Sequence, residues 1–206
     1  MKKNKKVIVL GLGVDDPKSI FGTTLNLDKK FGKNRIFDMP TAENAMTGIA
    51  IGASINGYIP VITHQRVEFA LLSMEQIINQ ASKWYYMSAG KTNIPLVIRI
   101  IIGRGWGNGP QHTQSLESMF ANIPGLKVIS PSNPYDAKGL LIESIKDKNP
   151  VIFFENRWLY HTYGHVPKKS YTCKIGKSKI AQIGTDITVV SNSYLLVEAI
   201  KAAKIF

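Results

Sequence analysis

A chain of 206 residues with 44% hydrophobic content can bury a real core and is ordinary globular material. Its net charge of +12 could suit nucleic acid, another anionic partner or a phosphorylated ligand, but the lysines gather in separate clusters with no aromatic-rich platform, so they read as solvated faces rather than a nucleic-acid surface. A single cysteine, Cys173, excludes an internal disulfide framework and a cysteine-rich zinc site.

The basic opening, Met1 to Lys6, and the apolar stretch Val7 to Val14 resemble a signal peptide only superficially. The stretch is short, holds two glycines and runs into Asp15-Asp16 without a small-residue cleavage site. It reads better as a first buried strand, Val7–Leu10. No apolar run approaches the ~20 residues that a membrane-spanning helix needs, so a cytoplasmic location is expected. Gly11-Leu12-Gly13-Val14-Asp15-Asp16 invites a dinucleotide-loop reading. It lacks the third glycine of that pattern, and Pro17 disturbs the helix start, which leaves a tight strand-end turn.

Next comes Phe37-Asp38-Met39-Pro40-Thr41-Ala42-Glu43-Asn44, with apolar sequence on both sides. Glu43 falls at a strand-to-helix junction, the favourable end of a helix for negative charge. If that junction is closed off from water, the acid can be held partly protonated and ready to exchange a proton. The alternative is a solvent-facing first-turn glutamate. In the helix predicted over Asn44–Asn56, Ala45, Gly48, Ile49, Gly52 and Ala53 form a stripe of small residues suited to a close approach, either by a helix of the same domain or by another subunit.

Pro60–Thr63 reads as a strand. Phe69–Tyr86 follows as a helix, with Leu71, Met74, Ile78, Ala81 and Tyr85 on its apolar face. After the strand Leu96–Ile100, the loop Arg104-Gly105-Trp106-Gly107-Asn108-Gly109-Pro110-Gln111-His112 should lie at a strand's carboxyl end, where open α/β sheets place ligands. His112 there could transfer a proton, stabilise charge or simply hydrogen-bond. Lys127–Ser130 and Val151–Phe154 are further strands, and Asp136–Lys146 is a helix opened by Pro134. Beyond Arg157 periodicity is lost. Strand-like runs recur at Lys174–Ala181 and Ile187–Ser191, and a helical pattern runs from Tyr194 to Phe206. Strands alternating with helices predict an α/β fold, a doubly wound and mostly parallel sheet. The expected domains are 1–160, a linker over 161–184, and 185–206 as the opening of a truncated second, C-terminal domain.

Ile36–Glu43, Gly48-Ile-Ala-Ile-Gly52, Gln76 through Ser88, Gln111–Ser115, Pro124–Val128 and Asp136–Leu140 together resemble the β subunit of thiamine-diphosphate-dependent 2-oxo-acid dehydrogenases, built around the transketolase-like pyrimidine-binding domain. The resemblance covers about Val7 to Tyr160 and resumes at Gly184–Phe206. It implies that Glu43 hydrogen-bonds the aminopyrimidine of thiamine diphosphate and drives the tautomer change that activates the cofactor, chemistry that needs a dry pocket. It also implies that Phe69 stacks on the pyrimidine with Gln65 beside it, and that His112 faces the reacting carbon. The carbonyls of Leu96 and Ser144, with Asp147 and Asn149, fall where several members hold potassium, a hard cation that oxygen ligands suit.

Two departures stand out. The Glu-Asp pair that the family places after the first strand is Leu12-Gly13 here, and Gln65, beside His64 and Arg66, takes the place of a usual methionine. The helical stretch that normally opens the β subunit is absent, as is the Gly-Asp-Gly motif that holds magnesium and the diphosphate. The resemblance therefore implies an α-type partner carrying magnesium, an α2β2 assembly or a homodimer of this chain, and a lipoyl acyltransferase as a further partner. The rival functions are the C-terminal half of a split transketolase acting on phosphosugars, and a non-catalytic assembly module that kept the fold.

Overall fold

Runs rich in isoleucine and valine build six strands: β1 Val7–Gly11, β2 Ile36–Asp38, β3 Ile59–His64, β4 Val97–Ile102, β5 Lys127–Ile129 and β6 Val151–Asn156. The structure, a computed structural model, describes residues 1–16 and 18–205, and of Ser19 the backbone alone. Pro17 and Phe206, both used in the sequence reading, lie outside the described residues. All strand pairs are parallel, in the order β2-β1-β3-β4-β6-β5. Parallel sheets are covered on both faces, which is why these strands read as nearly unbroken apolar runs rather than alternating ones. Ile8, Leu10, Ile62, Ile98, Ile100, Ile152 and Phe154 point into one layer, and Val7, Val9, Val61, Val97, Ile101 and Phe153 into the other. The predicted α/β sheet is therefore the observed one.

The first layer is closed by the helix Glu43–Ile55 and by a helical run that changes pitch along its length. That run is α-helical over Val67–Ala70, 3₁₀ over Leu71–Ser73, π over Gln76–Ala81 and α-helical again over Trp84–Met87. Its buried face is Val67, Ala70, Ser73, Ile77 and Ala81, so of the predicted stripe only Ala81 is fully buried. The stripe of small residues on Glu43–Ile55 is mostly uncovered. A Cβ on Gly48 would meet Gln76 Oε1 at 3.3 Å, whereas one on Gly52 would meet nothing within 4 Å. The second layer is closed in part by Pro134–Lys146, which starts with Pro134 in its first turn and with Asn133 accepting a hydrogen bond from the Asp136 amide. Prolines suit that position because the first turn's N–H groups lack partners anyway.

A charged cluster sits within the second layer. Arg99 is 6% exposed, and its guanidinium grips Glu155 through Nε–Oε1 at 2.5 Å and Nη2–Oε2 at 2.9 Å. Thr23 Oγ1 accepts from Arg99 Nη2 at 2.9 Å, and the Tyr160 hydroxyl donates to Glu155 Oε2 at 2.8 Å. Burial, then the Glu155 carboxylate, pushes the Tyr160 hydroxyl well above its ordinary pKa, so it donates as a neutral phenol. An apolar cavity of about 620 Å³ lies beside this pair, lined by Val7, Leu27, Phe31, Val61, Leu141 and Phe153 among others. None of the site residues predicted from sequence lines it.

After the 3₁₀ segment Arg157–His161 the described residues form no strand. The runs expected as strands at Lys174–Ala181 and Ile187–Ser191 are irregular, with Ile180 at 79% and Val190 at 92% exposure. A strand needs a neighbour for its backbone N–H and C=O groups, and no described segment pairs with these runs. The last helix, Ser193–Ala202, returns to the domain through Tyr194, whose ring lies 5.8 Å from that of Trp158. Among the described residues, no helix is long and apolar enough to cross a membrane.

Removing one partner of a buried ion pair strands the other charge. Arg99→Met should therefore lose about 3–5 kcal/mol of stability in urea unfolding. Adding Glu155→Leu to Arg99→Met should recover most of that loss. A single variant as stable as wild type would show that the pair is not holding this layer.

Candidate active site

Because all six strands run the same way, Gly11, Asp38, His64, Ile102 and Asn156 end at one edge of the sheet. The turn after β1 is fixed from two sides. The Gly13 amide donates to Asp38 Oδ1 at 2.6 Å, and Gln65 Nε2 donates to the Leu12 carbonyl at 2.9 Å. A Cβ on Gly11 would come within 2.7 Å of the Thr63 carbonyl oxygen, so the close approach of β1 to β3 requires glycine. This is the tight strand-end turn expected from sequence. Gln65 serves it as a tie between β1 and β3.

Glu43 is the first residue of its helix and only 6% exposed. Ala42, which caps the helix, offers no side-chain hydrogen bond. The Glu43 carbonyl accepts from Thr47 Oγ1 at 2.9 Å, yet its carboxylate has no hydrogen-bond or ion-pair partner among the described residues. The solvent-facing alternative does not hold. The residue is buried, but its carboxylate oxygens are not among the fully buried unpaired atoms, so a donor from outside the chain can reach them.

Phe69 and His112 meet edge to face, with ring centroids 5.3 Å apart. Two contacts from the helix after β3 hold the His112 loop against it. Arg66 Nη1 donates to the His112 carbonyl at 3.2 Å, and Glu68 Oε1 accepts from the Gln114 amide at 2.8 Å. His112 Nδ1 is buried without a partner. A third tie comes from β6, where Trp158 Nε1 donates to the Arg104 carbonyl at 2.9 Å. The loop needs such ties because Gly105, Trp106, Gly107 and Gly109 all take positive φ, a region that a tryptophan enters only when held there. Glu43 stands at the same sheet edge, on the helix that packs against the 3₁₀ and π segments continuing from Phe69.

Leu96, Ser144, Asp147 and Asn149 lie elsewhere, since Leu96 and Asn149 precede β4 and β6 and so sit toward the opposite edge. The Leu96 carbonyl accepts from the Val151 amide at 2.8 Å. Asp147 Oδ1 accepts from the Asn149 amide and from Asn149 Nδ2, both at 3.0 Å, and Oδ2 is ion-paired with Lys127. Burial would raise the Asp147 pKa, but the Lys127 and Asn149 hydrogen bonds outweigh it and hold the carboxyl below its ordinary range.

Two functional candidates carried little signal in the sequence. His64 is 2% exposed, neither ring nitrogen has a partner, and burial pushes its pKa down to about 4. Arg157 is packed between the rings of Phe21 and Trp106, with its Cζ 4.2 Å from each centroid. Chain order gives no hint of that sandwich, because Phe21 and Arg157 meet only through the fold.

The transketolase pyrimidine-binding domain family matches residues 1–162. The chain belongs to that family. Within it, the chain is 39% identical to the 2-oxoisovalerate dehydrogenase subunit beta of Bacillus subtilis, over 99% of this chain and 63% of that one. It is 41% identical to the acetoin:2,6-dichlorophenolindophenol oxidoreductase subunit beta of Cupriavidus necator, over 95% and 59%. It is 38% identical to the pyruvate dehydrogenase E1 component subunit beta of Bacillus subtilis, over 98% and 63%. The chain thus spans less than two thirds of the length of these relatives. A solved structure described as a split gene transketolase, inactive beta4 tetramer, superimposes with a TM-score of 0.78 at 21% identity, over 99% of this chain and 62% of that one. At that identity the likeness concerns the transketolase-like fold alone.

His64 generates a pH signature. Its ordinary pKa of about 6.5 is depressed to about 4 in the fold, so between these values the unfolded chain binds more protons. Its contribution is therefore present above about pH 6.5 and is lost as pH falls towards 4, to a total of about 3 kcal/mol. His64→Leu should flatten that part of the stability profile and cost little at pH 7, because no hydrogen bond is lost. An unchanged acid slope in urea midpoints would contradict the buried neutral imidazole.

Proposed function

We propose that this chain is the β-type subunit of a thiamine-diphosphate-dependent 2-oxo-acid dehydrogenase and supplies the pyrimidine half of the cofactor site. The observation that carries the reading is Glu43, a buried residue whose carboxylate has no partner among the described residues, at a helix start in a chain of the pyrimidine-binding family. The three relatives, named as dehydrogenase or oxidoreductase beta subunits, support it. Thiamine diphosphate, when bound, supplies the thiazolium carbon that cleaves the bond between the oxo carbon and the carboxylate.

The residues present fit that group. Glu43 would hydrogen-bond the pyrimidine ring nitrogen and exchange a proton there, and the bound ring would cover what exposure the residue keeps. Phe69 would pack against the pyrimidine ring. Gln65, with its amide spent on Leu12, has its carbonyl oxygen left to offer. His112, held by Arg66 and by the edge of Phe69, would face the reacting carbon, with its ring nitrogen free to move a proton. An α-type partner would bind the diphosphate through magnesium, in an α2β2 assembly serving a lipoyl acyltransferase. A potassium ion at Leu96, Ser144, Asp147 and Asn149 would rest on carbonyl oxygens, because the Asp147 carboxylate already carries Lys127. Residues 1–160 form the pyrimidine-binding domain in this reading, with 161–184 as a linker and 185–206 opening a second domain.

Glutamine at position 43 keeps the shape but cannot exchange the proton. In the complex with the α-type partner, Glu43→Gln should slow hydrogen–deuterium exchange at the thiazolium carbon by orders of magnitude, while stability moves by no more than about 1 kcal/mol. Wild-type exchange in that variant would remove Glu43 from the chemistry. His112→Ala should leave cofactor binding near wild type and lower turnover about 100- to 10,000-fold, the usual contribution of a general acid–base group. Unchanged turnover would return His112 to a loop-holding role.

A further inference from the structure

Two guanidinium groups border the His112 loop, and neither forms an ion pair among the described residues. Arg66 is 9% exposed, gives one hydrogen bond to the His112 carbonyl, and makes no ion pair among the described residues. The neighbouring carboxylate of Glu68 is engaged by the Gln114 amide. Arg157 reaches the same place from the end of β6, and its contacts are the two aromatic faces of Phe21 and Trp106. The two cations feel each other. Burial first, and then the Arg157 charge, lower the Arg66 pKa. Like charges in a partly desolvated place cost free energy unless an anion offsets them. Elsewhere the chain meets this need itself, as Glu155 does for Arg99. Here the nearby Glu68 charge opposes burial and Arg157 without outweighing them, and neither guanidinium forms an ion pair among the described residues.

Arg66 keeps most of its planar N–H fork unused, and a guanidinium fork matches a carboxylate in two parallel hydrogen bonds. Stacking on Phe21 and Trp106 fixes the Arg157 plane without using its N–H groups. Both groups sit where the His112 loop meets the carboxyl edge of the sheet, the place where open α/β folds receive ligands.

We infer that Arg66 and Arg157 form a receptor for the carboxylate of the substrate and so select anionic oxo acids over neutral acyl donors. This rests on the reading of the site as one that acts on 2-oxo acids. Arg66 would then be a specificity-determining residue as well as a tie for the loop, and the two roles give different kinetics.

The test uses the complex with the α-type partner and two probes, pyruvate, which is anionic, and acetoin, which is neutral. In Arg66→Met the ratio of kcat/KM for pyruvate to that for acetoin should fall roughly tenfold or more, through KM for pyruvate. Arg66→Lys should recover part of the ratio, since it keeps the charge and loses the fork. If Arg66→Met does not fold, Arg157→Lys and Arg66→Lys carry the same comparison. Equal loss towards both probes would mean that Arg66 only holds the loop and would overturn the receptor. So would no change in the ratio. Glu43→Gln is run alongside. If it is inactive while the ratio is unmoved, the receptor alone fails, whereas a complex that cleaves neither probe sinks the oxo-acid reading and the receptor with it.

Discussion

Six strands running in one direction impose the geometry on which everything else rests. Each strand must be left by a turn at its carboxyl end, so residues far apart in sequence meet at one edge of the sheet. Leu12, Glu43, Gln65, Phe69, His112 and Arg157 follow five different strands, yet hydrogen bonds, ring contacts and helix packing join their segments. The same parallel arrangement needs cover on both faces, so the strands are apolar throughout and polar chemistry is pushed to their ends.

Where the polar groups are satisfied separates scaffold from site. Arg99 and Glu155 are buried in mid-sheet, and their oxygens and nitrogens are met by each other, Thr23 and Tyr160. At the carboxyl edge the pattern reverses. Among the described residues, Glu43 is a buried residue whose carboxylate has no partner, His64 and His112 have unpaired ring nitrogens, and Arg66 makes no ion pair. Native interiors leave few polar groups unpaired. Unpaired hydroxyls also occur at Thr24, Ser73, Ser130 and Ser193, but the ring nitrogens at the carboxyl edge are the groups that the proposed cofactor or substrate would meet.

The strands were legible because burial on both faces leaves short apolar runs, and the edge at Glu43 was legible because an acid stood between β2 and a helix. The helix at Pro134 was equally plain, since Pro134 and Asp136 are start signals whose effect is local. The run after β3 was only partly legible. Its buried face is already one residue away from the predicted stripe at Ala70 and Ser73, before the π segment over Gln76–Ala81, and the two coincide only at Ala81. The irregular state of Ile187–Ser191 was hidden as well. Its apolar pattern describes what a strand would bury, while a ladder depends on a neighbour that lies elsewhere in the fold. In the sequence Arg66 stands out only as a basic neighbour of Gln65 and His64, and Arg157 only as the point where periodicity is lost, because their contacts with the His112 loop, Phe21 and Trp106 depend on the fold.

The His112 loop shows how such a site is held ready. Its glycines supply the left-handed turns but also a large conformational entropy that folding must overcome. Three ties oppose it, from Arg66 and Glu68 after β3 and from Trp158 after β6, and the Trp106–Arg157 stack adds a fourth contact. All four act on the backbone or on Trp106, and the His112 ring meets that of Phe69 edge to face. The scaffold therefore spends its contacts on fixing where His112 stands and leaves its Nδ1 unpaired, as the proposed proton-transfer role would need. A histidine kept only for structure would show the opposite arrangement, with its ring nitrogens bonded and its backbone left to the loop.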